Sequence, residues 1–251
     1  MEREPPTQRE VAEVFDRKVA AAHDLLRNWD YMTSKQLSDF ALLEQSDVDG
    51  CDVLNVGCFF PIDEIRYADR VRSWTATDLG ETTIRVAEET ARRYLAPDLF
   101  GRLRFLTADG RALPFPDESF DVVVSFSTVD HIVEPEGRQK FVDEMARVAR
   151  KGGRVVVTAP NRWCRGYARR ASLGGGDAAP DFFEYCFSPL ELKQMIRQAG
   201  LEPIRFTSTS AIPVLSPRAI FPRLRIKPFL VAYNGVARYF GVRMGFLAVK
   251  R

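Results

Sequence analysis

Five short runs of β-forming residues recur through the first 160 positions of the chain: CDVLNV (51–56), SWTATD (73–78), LRFLTA (103–108), FDVVVSF (120–126) and GRVVVTAP (153–160). Three of the intervals between them carry apolar residues at helical spacing. One helix is expected from about Asp63, one through Ile84, Val86, Ala87 and Tyr94, and one over 136–150 with Phe141, Met145 and Val148 on one face. Parallel strands cannot be joined by hairpins and need crossover connections, so this alternation predicts a parallel sheet with helices on both faces. The expected class is α/β, doubly wound. At 251 residues the chain suits a single domain of ordinary size over 1–251.

The flanks are organised differently. Residues 8–28 place Val11, Val14, Phe15, Val19, Ala22 and Leu25 at helical spacing, and a second helical piece follows Thr33-Ser34 through Leu37, Phe40 and Leu43. Residues 1–48 are therefore expected to form a helical cover over a core at 50–160. The pattern breaks over 162–187, where a basic, aromatic stretch (Arg162, Trp163, Arg165, Tyr167, Arg169, Arg170) precedes a flexible SLGGGDAAP segment, as in a lid. Residues 188–251 resume with a helix that Ser188 can cap and Pro189 can open, then a strand, a mixed tail and a final strand at MGFLAVKR (244–251).

The formal charge of +2 is too small to imply a polyanionic partner. Cys51, Cys58, Cys164 and Cys186 show no metal-ligand spacing, so no metal is expected. The polar start MEREPPTQRE matches neither a secretory signal nor a transit peptide, and no apolar run approaches a membrane span. The reading is a cytoplasmic protein with reduced thiols.

The stretch FLTADGRALPFPDESFDVVVSFSTVDHI (105–132) carries most of the chemistry. Asp109 stands at the carboxyl end of the third strand, and Ser125, Ser127, Thr128, Asp130 and His131 cluster at the end of the fourth. Ligands of open α/β sheets lie beyond these strand ends. The segment from Asp109 to Asp121 closely resembles the L-P-F-x-D-x-S-F-D signature of class I S-adenosylmethionine-dependent methyltransferases of the type 11-like family. FSPLELKQMIRQAGLEPI resembles the late helix–strand unit of the same family. The resemblance covers about 50–160 well and 186–209 less closely. It implies a Rossmann-like sheet of seven strands with the last antiparallel, S-adenosylmethionine as cofactor, and methyl transfer to a small molecule, at oxygen or nitrogen.

Carried over residue by residue, the resemblance places Gly57 at the first glycine of the family's G-x-G-x-G turn. Phe59 and Pro61 occupy the second and third, and Asn55 stands where the family usually has an acid. One reading keeps the cofactor on Gly57 and the backbone of Cys58 with a remodelled wall. The other is a non-catalytic or atypical binding protein that kept the fold. The first is expected, because the remaining positions are intact. Asp63 and Glu64 follow the turn and would repel a pyrophosphate, which argues against a dinucleotide, whereas a sulfonium and an ammonium tolerate nearby acids.

Asp78, with Leu79 beside it, ends the second strand where an acid can bind ribose hydroxyls; a helix N-cap is the competing role, both can hold, and the position after the second strand favours the ribose. Asp109, with Gly110, corresponds to the acid that contacts the adenine amino group, and Ser125 lies beside the methionine moiety. Asp121 is expected to be structural. If the acceptor is a hydroxyl, a general base helps. His131, with Asp130 adjacent, is the candidate, and simple packing is the competing role. Tyr31 is a further candidate for contact over the cofactor, with packing as its ordinary alternative.

Beyond Glu202 the chain has no acid, while Arg205, Arg218, Arg223, Arg225 and Lys227 are among its basic residues. Together with Arg165, Arg169 and Arg170, this surface suggests an anionic or lipid-linked acceptor and peripheral membrane contact, or a solvated basic face. No nucleic-acid partner is expected, since no N-P-P-Y-type motif follows the fourth strand.

Overall fold

The computed structural model describes residues 6–21, 42–163, 183–209, 239, 241 and 243–251. Tyr31, Arg165, Arg169 and Arg170 lie outside these residues, as do most of the basic tail and the second part of the expected helix over 8–28. The elements run α1 (Gln8–Ala21), β1 (Asp52–Val56), α2 (Ile62–Tyr67), β2 (Ser73–Asp78), α3 (Glu81–Tyr94), α4 (Pro97–Phe100), β3 (Leu103–Thr107), β4 (Phe120–Phe126), α5 (Pro135–Val148), β5 (Ala149–Pro160), α6 (Pro189–Gln198), β6 (Leu201–Thr209) and β7 (Arg243–Lys250). A 3₁₀ turn, Val129–His131, follows β4.

One seven-stranded sheet has the order β3-β2-β1-β4-β5-β7-β6. Strands β1 to β5 pair in parallel, and β7 inserts antiparallel between β5 and β6, with Val156 opposite Leu247. This is the doubly wound class that the strand alternation predicted, with the antiparallel last strand that the resemblance implied. The order reverses at β1/β4, the position at which sheets of this class hold ligands beyond the strand ends.

Alternation along each strand splits the core in two. Leu54, Val56, Val123, Val155 and Val157 face Phe141, Met145, Leu192 and Ile196 of α5 and α6. Val53, Val122, Val124, Val156, Trp74 and Ala76 face Ile62 and Tyr67 of α2, Ile84 and Ala87 of α3, and Leu42 and Leu43 from the segment before β1. Full burial of each such valine or leucine contributes about 1.5–3 kcal/mol, and these runs are apolar because both faces are covered.

The boundary between α5 and β5 differs from the sequence expectation. The helix ends at Val148, and Ala149 already pairs with Phe120; the ladder then slips, so that Val122 faces Arg154. Gly152, at φ +73°, takes up the extra residues, so that Ala149 and Arg150, expected in the helix, already lie within the strand.

Asp121 belongs to the amino edge of the sheet. It accepts the Asp52 amide at 2.9 Å and pairs with Arg150 at 2.5 Å and Arg72 at 2.9 Å. Hydrogen bonding to Arg72 holds the neighbouring Asp52 carboxyl down at about 2. The cluster pins β1 to β4 at the end away from the crevice, which is the structural role expected for Asp121.

Candidate functional site

The turn after β1 survives without its later glycines. Gly57 sits at φ +83°, and its amide and that of Cys58 both donate to Thr77 O, at 2.7 and 2.9 Å, latching the turn to β2. A Cβ on Gly57 would lie 2.2 Å from Thr128 Oγ1, so both backbone and contact require glycine here. Phe59, at the second glycine position, also adopts a left-handed conformation, φ +50°. That conformation costs a non-glycine residue about 1–2 kcal/mol. The bond from its amide to Asp78 Oδ2 at 3.1 Å and the packing of its ring on Phe60 and Phe15 offset the cost. Pro61 precedes α2 at the N-cap, where its missing N–H is harmless.

Asp78 ends β2 and faces this turn. Its Oδ2 accepts the Phe59 amide and its Oδ1 the Gly80 amide, each at 3.1 Å. Burial raises its carboxyl above the usual aspartate range. It is not the N-cap of α3. That helix starts after Gly80, and its orphan donor at Thr83 is satisfied by Asp16 of α1, whose Oδ1 accepts both Thr83 N and Thr83 Oγ1 at 2.8 Å. Leu79, between Asp78 and Gly80, is half-buried.

At the end of β3, Asp109 is gripped by Arg111, with Nη2 to Oδ2 at 2.8 Å and Nε to Oδ1 at 3.0 Å, and Arg111 Nη1 continues to Glu134 at 3.1 Å. Although burial opposes it, the Arg111 bonds leave the Asp109 carboxyl below its ordinary value. Gly110 is bare because a Cβ would meet the Phe141 ring at 2.3 Å. Ser125 is fully buried and donates its hydroxyl to Val56 O at 2.8 Å, tying β4 to β1 under the crevice.

Asn55 and Cys58 line the other side of the turn. Asn55 is buried on β1, and its Nδ2 donates to Glu64 Oε1 at 2.8 Å. Burial, reinforced by Asp78 and Glu64, pushes the Cys58 thiol well above its ordinary range, so it stays a thiol.

His131 closes the fourth-strand side. Its Nδ1 lies 2.7 Å from Phe183 O, an acceptor, so Nδ1 carries the proton. Nε2 then faces Asp130 Oδ2 at 3.4 Å. Burial lowers the imidazole to about 4, and it is neutral at pH 7. Helix α1 lies across these strand ends. Gln8 bonds His131 O and Val133 N at 3.3 Å each, and the Phe15 ring stands between His131 and Phe59 at 4.7 and 5.6 Å.

The structure thus places Gly57, Cys58, Asp78, Asp109, Gly110, Asp130 and His131 beyond or at the carboxyl ends of the parallel strands, with Asn55 and Ser125 buried within β1 and β4 beneath them. Sequence reasoning missed Asp16, whose partner Thr83 lies on another helix, and Arg111, which grips Asp109 two residues away. Among the described residues, no cluster of three or more His, Cys, Asp or Glu could hold a metal ion, and no helix is long and apolar enough to cross a membrane.

A seven-stranded, doubly wound sheet with carboxylates at the ends of β2 and β3 and a glycine turn after β1 defines the class I methyltransferase fold. Residues 54–157 match the methyltransferase domain family, in line with the class I resemblance of the sequence. A probable S-adenosylmethionine-dependent methyltransferase of Mycolicibacterium smegmatis is 31% identical over 153 residues, covering 61% of this chain and 52% of that protein. The 27-O-demethylrifamycin SV methyltransferase of Amycolatopsis mediterranei is 32% identical over 165 residues, covering 61% and 55%. The chain spans about half the length of the curated relatives it matches. The crystal structure of the [4+2]-cyclase SpnF superposes with a TM-score of 0.67 at 21% identity, over 98% of this chain and 97% of that one, a likeness of fold.

Proposed function

We propose that this protein is an S-adenosylmethionine-dependent methyltransferase acting on a small-molecule acceptor at oxygen or nitrogen. The observation that carries the reading is the oxygen accounting at Asp78. Each carboxylate oxygen accepts one backbone amide and keeps a further lone pair, so the residue can take two more donors. A vicinal ribose diol supplies two. The donor set fits an S-adenosyl ligand in a second respect. The acids about the turn, Asp63, Glu64 and Asp78, suit a cation and not a phosphate.

Bound S-adenosylmethionine would supply a methyl group already activated by its sulfonium. Asp78 and Leu79 would hold the ribose, Asp109 and Gly110 the adenine, and Asn55, Gly57, Cys58 and Ser125 the aminoacyl side. The chain's remaining task is positioning, which alone can account for much of the acceleration. A proton leaving an acceptor hydroxyl would pass to the Asp130–His131 pair. The neutral imidazole would take it through Nε2, beside the Asp130 carboxylate, although burial, which lowers the imidazole to about 4, works against the imidazolium. The name of the Amycolatopsis relative, a demethylrifamycin methyltransferase, supports a small-molecule acceptor with a reactive oxygen. The basic residues at Arg165, Arg169 and Arg170 and in the tail favour an anionic or lipid-linked one.

A second reading, a binding protein or an enzyme of other chemistry on the same fold, is favoured by one observation. The Phe59 ring, set by its left-handed backbone, joins Phe15 and His131 at the mouth of the crevice. Titration calorimetry with S-adenosylmethionine and S-adenosylhomocysteine separates the two. Binding of both supports the methyltransferase reading. Absence of heat at millimolar ligand overturns it.

A further inference from the structure

Glu64 is fully buried between α2 and the sheet, directly below the cofactor turn. Its Oε1 accepts two donors, Asn55 Nδ2 from β1 at 2.8 Å and Trp74 Nε1 from β2 at 3.1 Å. Its Oε2 has no hydrogen-bond partner among the described residues, and neither does the equally buried Oδ1 of Asn55. Two orphaned acceptor oxygens on one bonded pair are costly while the carboxylate is charged. A proton on Oε2 removes the buried charge without moving an atom of the chain.

The surroundings supply several acids, and the cations on α2 and after it, Arg66 and Arg70, lie over the Tyr67 ring. Asp63 precedes Glu64 on α2, and Cys58 of the turn lies within the electrostatic reach of Glu64, Asp63 and Asp78. Tyr67, on the next turn of α2, is bonded to Glu44, and Arg70 is drawn to Glu44 and Asp49. Helix α3 buries Thr83, Ile84, Val86, Ala87 and Ala91, none of them charged. Burial accordingly pushes the Glu64 carboxyl up to about 7. Asn55 meanwhile stands where the resembling family usually has an acid, and the carboxyl beneath the turn is here on the helix.

We infer that Glu64 is the titrating counter-charge of the cofactor site: it carries a proton in the free protein and releases it to solvent when a sulfonium ligand occupies the turn. This rests on the cofactor reading above and deepens it. Glu64 acts here as a positioning residue, through the field beneath Cys58 and through its bonds to Asn55 and Trp74. Proton and ligand compete, so cofactor affinity falls as pH falls through the Glu64 range, by at most about tenfold per pH unit for one whole proton.

The test is calorimetry of the full chain with S-adenosylmethionine from pH 6 to 8, in buffers of differing ionisation enthalpy. The expected result is an affinity about three- to tenfold weaker at pH 6 than at pH 8, with buffer-dependent heats that report proton release. S-adenosylhomocysteine, which lacks the sulfonium charge, should show a smaller release. Glu64→Gln keeps an acceptor for Asn55 and Trp74 and should bind with little pH dependence and little proton release. Because wild type alone yields the buffer and ligand comparisons, the idea stays testable if that variant does not fold. Tight binding without proton release in wild type would overturn the inference and leave the cofactor reading standing, and so would equal release in Glu64→Gln. Failure of S-adenosylmethionine to bind at any pH would sink both.

Discussion

Asp16→Ala tests whether α1 is held over the crevice by a cap it lends to another helix. Asp16 Oδ1 takes the Thr83 amide and the Thr83 hydroxyl, both at 2.8 Å, and Gly80, the N-cap residue of α3, makes no side-chain cap bond of its own. Loss of an N-cap costs about 1 kcal/mol, and loss of the second bond adds roughly 0.5–1.5 kcal/mol. The expected destabilisation is about 2 kcal/mol, which lowers a urea midpoint by about 1 M for a slope near 2 kcal/mol/M. Asp16→Asn keeps an acceptor oxygen and should recover more than half of the loss. Gly80→Ala supplies a geometric control, because its Cβ would lie 2.3 Å from Asp16 Oδ1. In wild type it should destabilise, and in the Asp16→Ala background it should be milder, a coupling that a double-mutant cycle reads directly. Limited proteolysis should cut within α1 sooner in Asp16→Ala. A urea midpoint within about 0.2 M of wild type would refute the capping argument.

Three other outcomes are expected. Asp78→Ala should weaken S-adenosylmethionine binding by about 1–3 kcal/mol in calorimetry, the scale for bonds to a charged acceptor; unchanged affinity in the folded variant would reduce Asp78 to a brace for the Phe59 and Gly80 amides. His131→Ala should lower turnover by roughly 10²–10⁴-fold with cofactor affinity nearly intact, whereas a drop below about threefold would assign His131 to packing against Phe15. Above pH 6.5, where the opposing contribution of His131, lowered from 6.5 to about 4, is complete, the ligand-free protein should lose stability as pH rises, measured by urea denaturation at several pH values. Glu64 is raised from 4.5 to about 7 on folding, so its contribution is complete below 4.5 and is lost as pH passes 7. Asp78 is raised too and acts in the same direction. Glu64→Gln should flatten that slope, and an unchanged slope would place the titration elsewhere.

Much of the fold was legible because the strands announce themselves. Runs such as DVVVSF are apolar at successive positions because both faces of the sheet are covered, and the helices between them carry one-sided periodicity. The Ser188 cap was legible because its capping box with Glu191 is local in sequence. The start of β5 was misread because Ala149 and Arg150, expected in the helix, already lie within a strand that bulges at Gly152. At the site, strand-end position alone brought Asp78, Asp109 and His131 to one crevice. What they touch was not legible, because the partners come from afar: Asp16 reaches Thr83 across 67 positions, and His131 meets Phe183 across 52. Phe59 is the instructive case. The missing glycine is plain in the sequence, but only the backbone shows that the left-handed turn persists without it. The change at Asn55 is likewise visible as a lost acid, and only packing shows that its amide meets Glu64 of α2.

The most direct test of the central claim, that the crevice beyond β1, β2 and β4 is an S-adenosyl site organised by Asp78, is a crystal structure with S-adenosylhomocysteine. The account predicts the ribose hydroxyls within about 3 Å of the Asp78 carboxylate, with the amides of Phe59 and Gly80 still bonded to it. Ligand bound elsewhere on the sheet edge, or a ribose that does not meet Asp78, would contradict it.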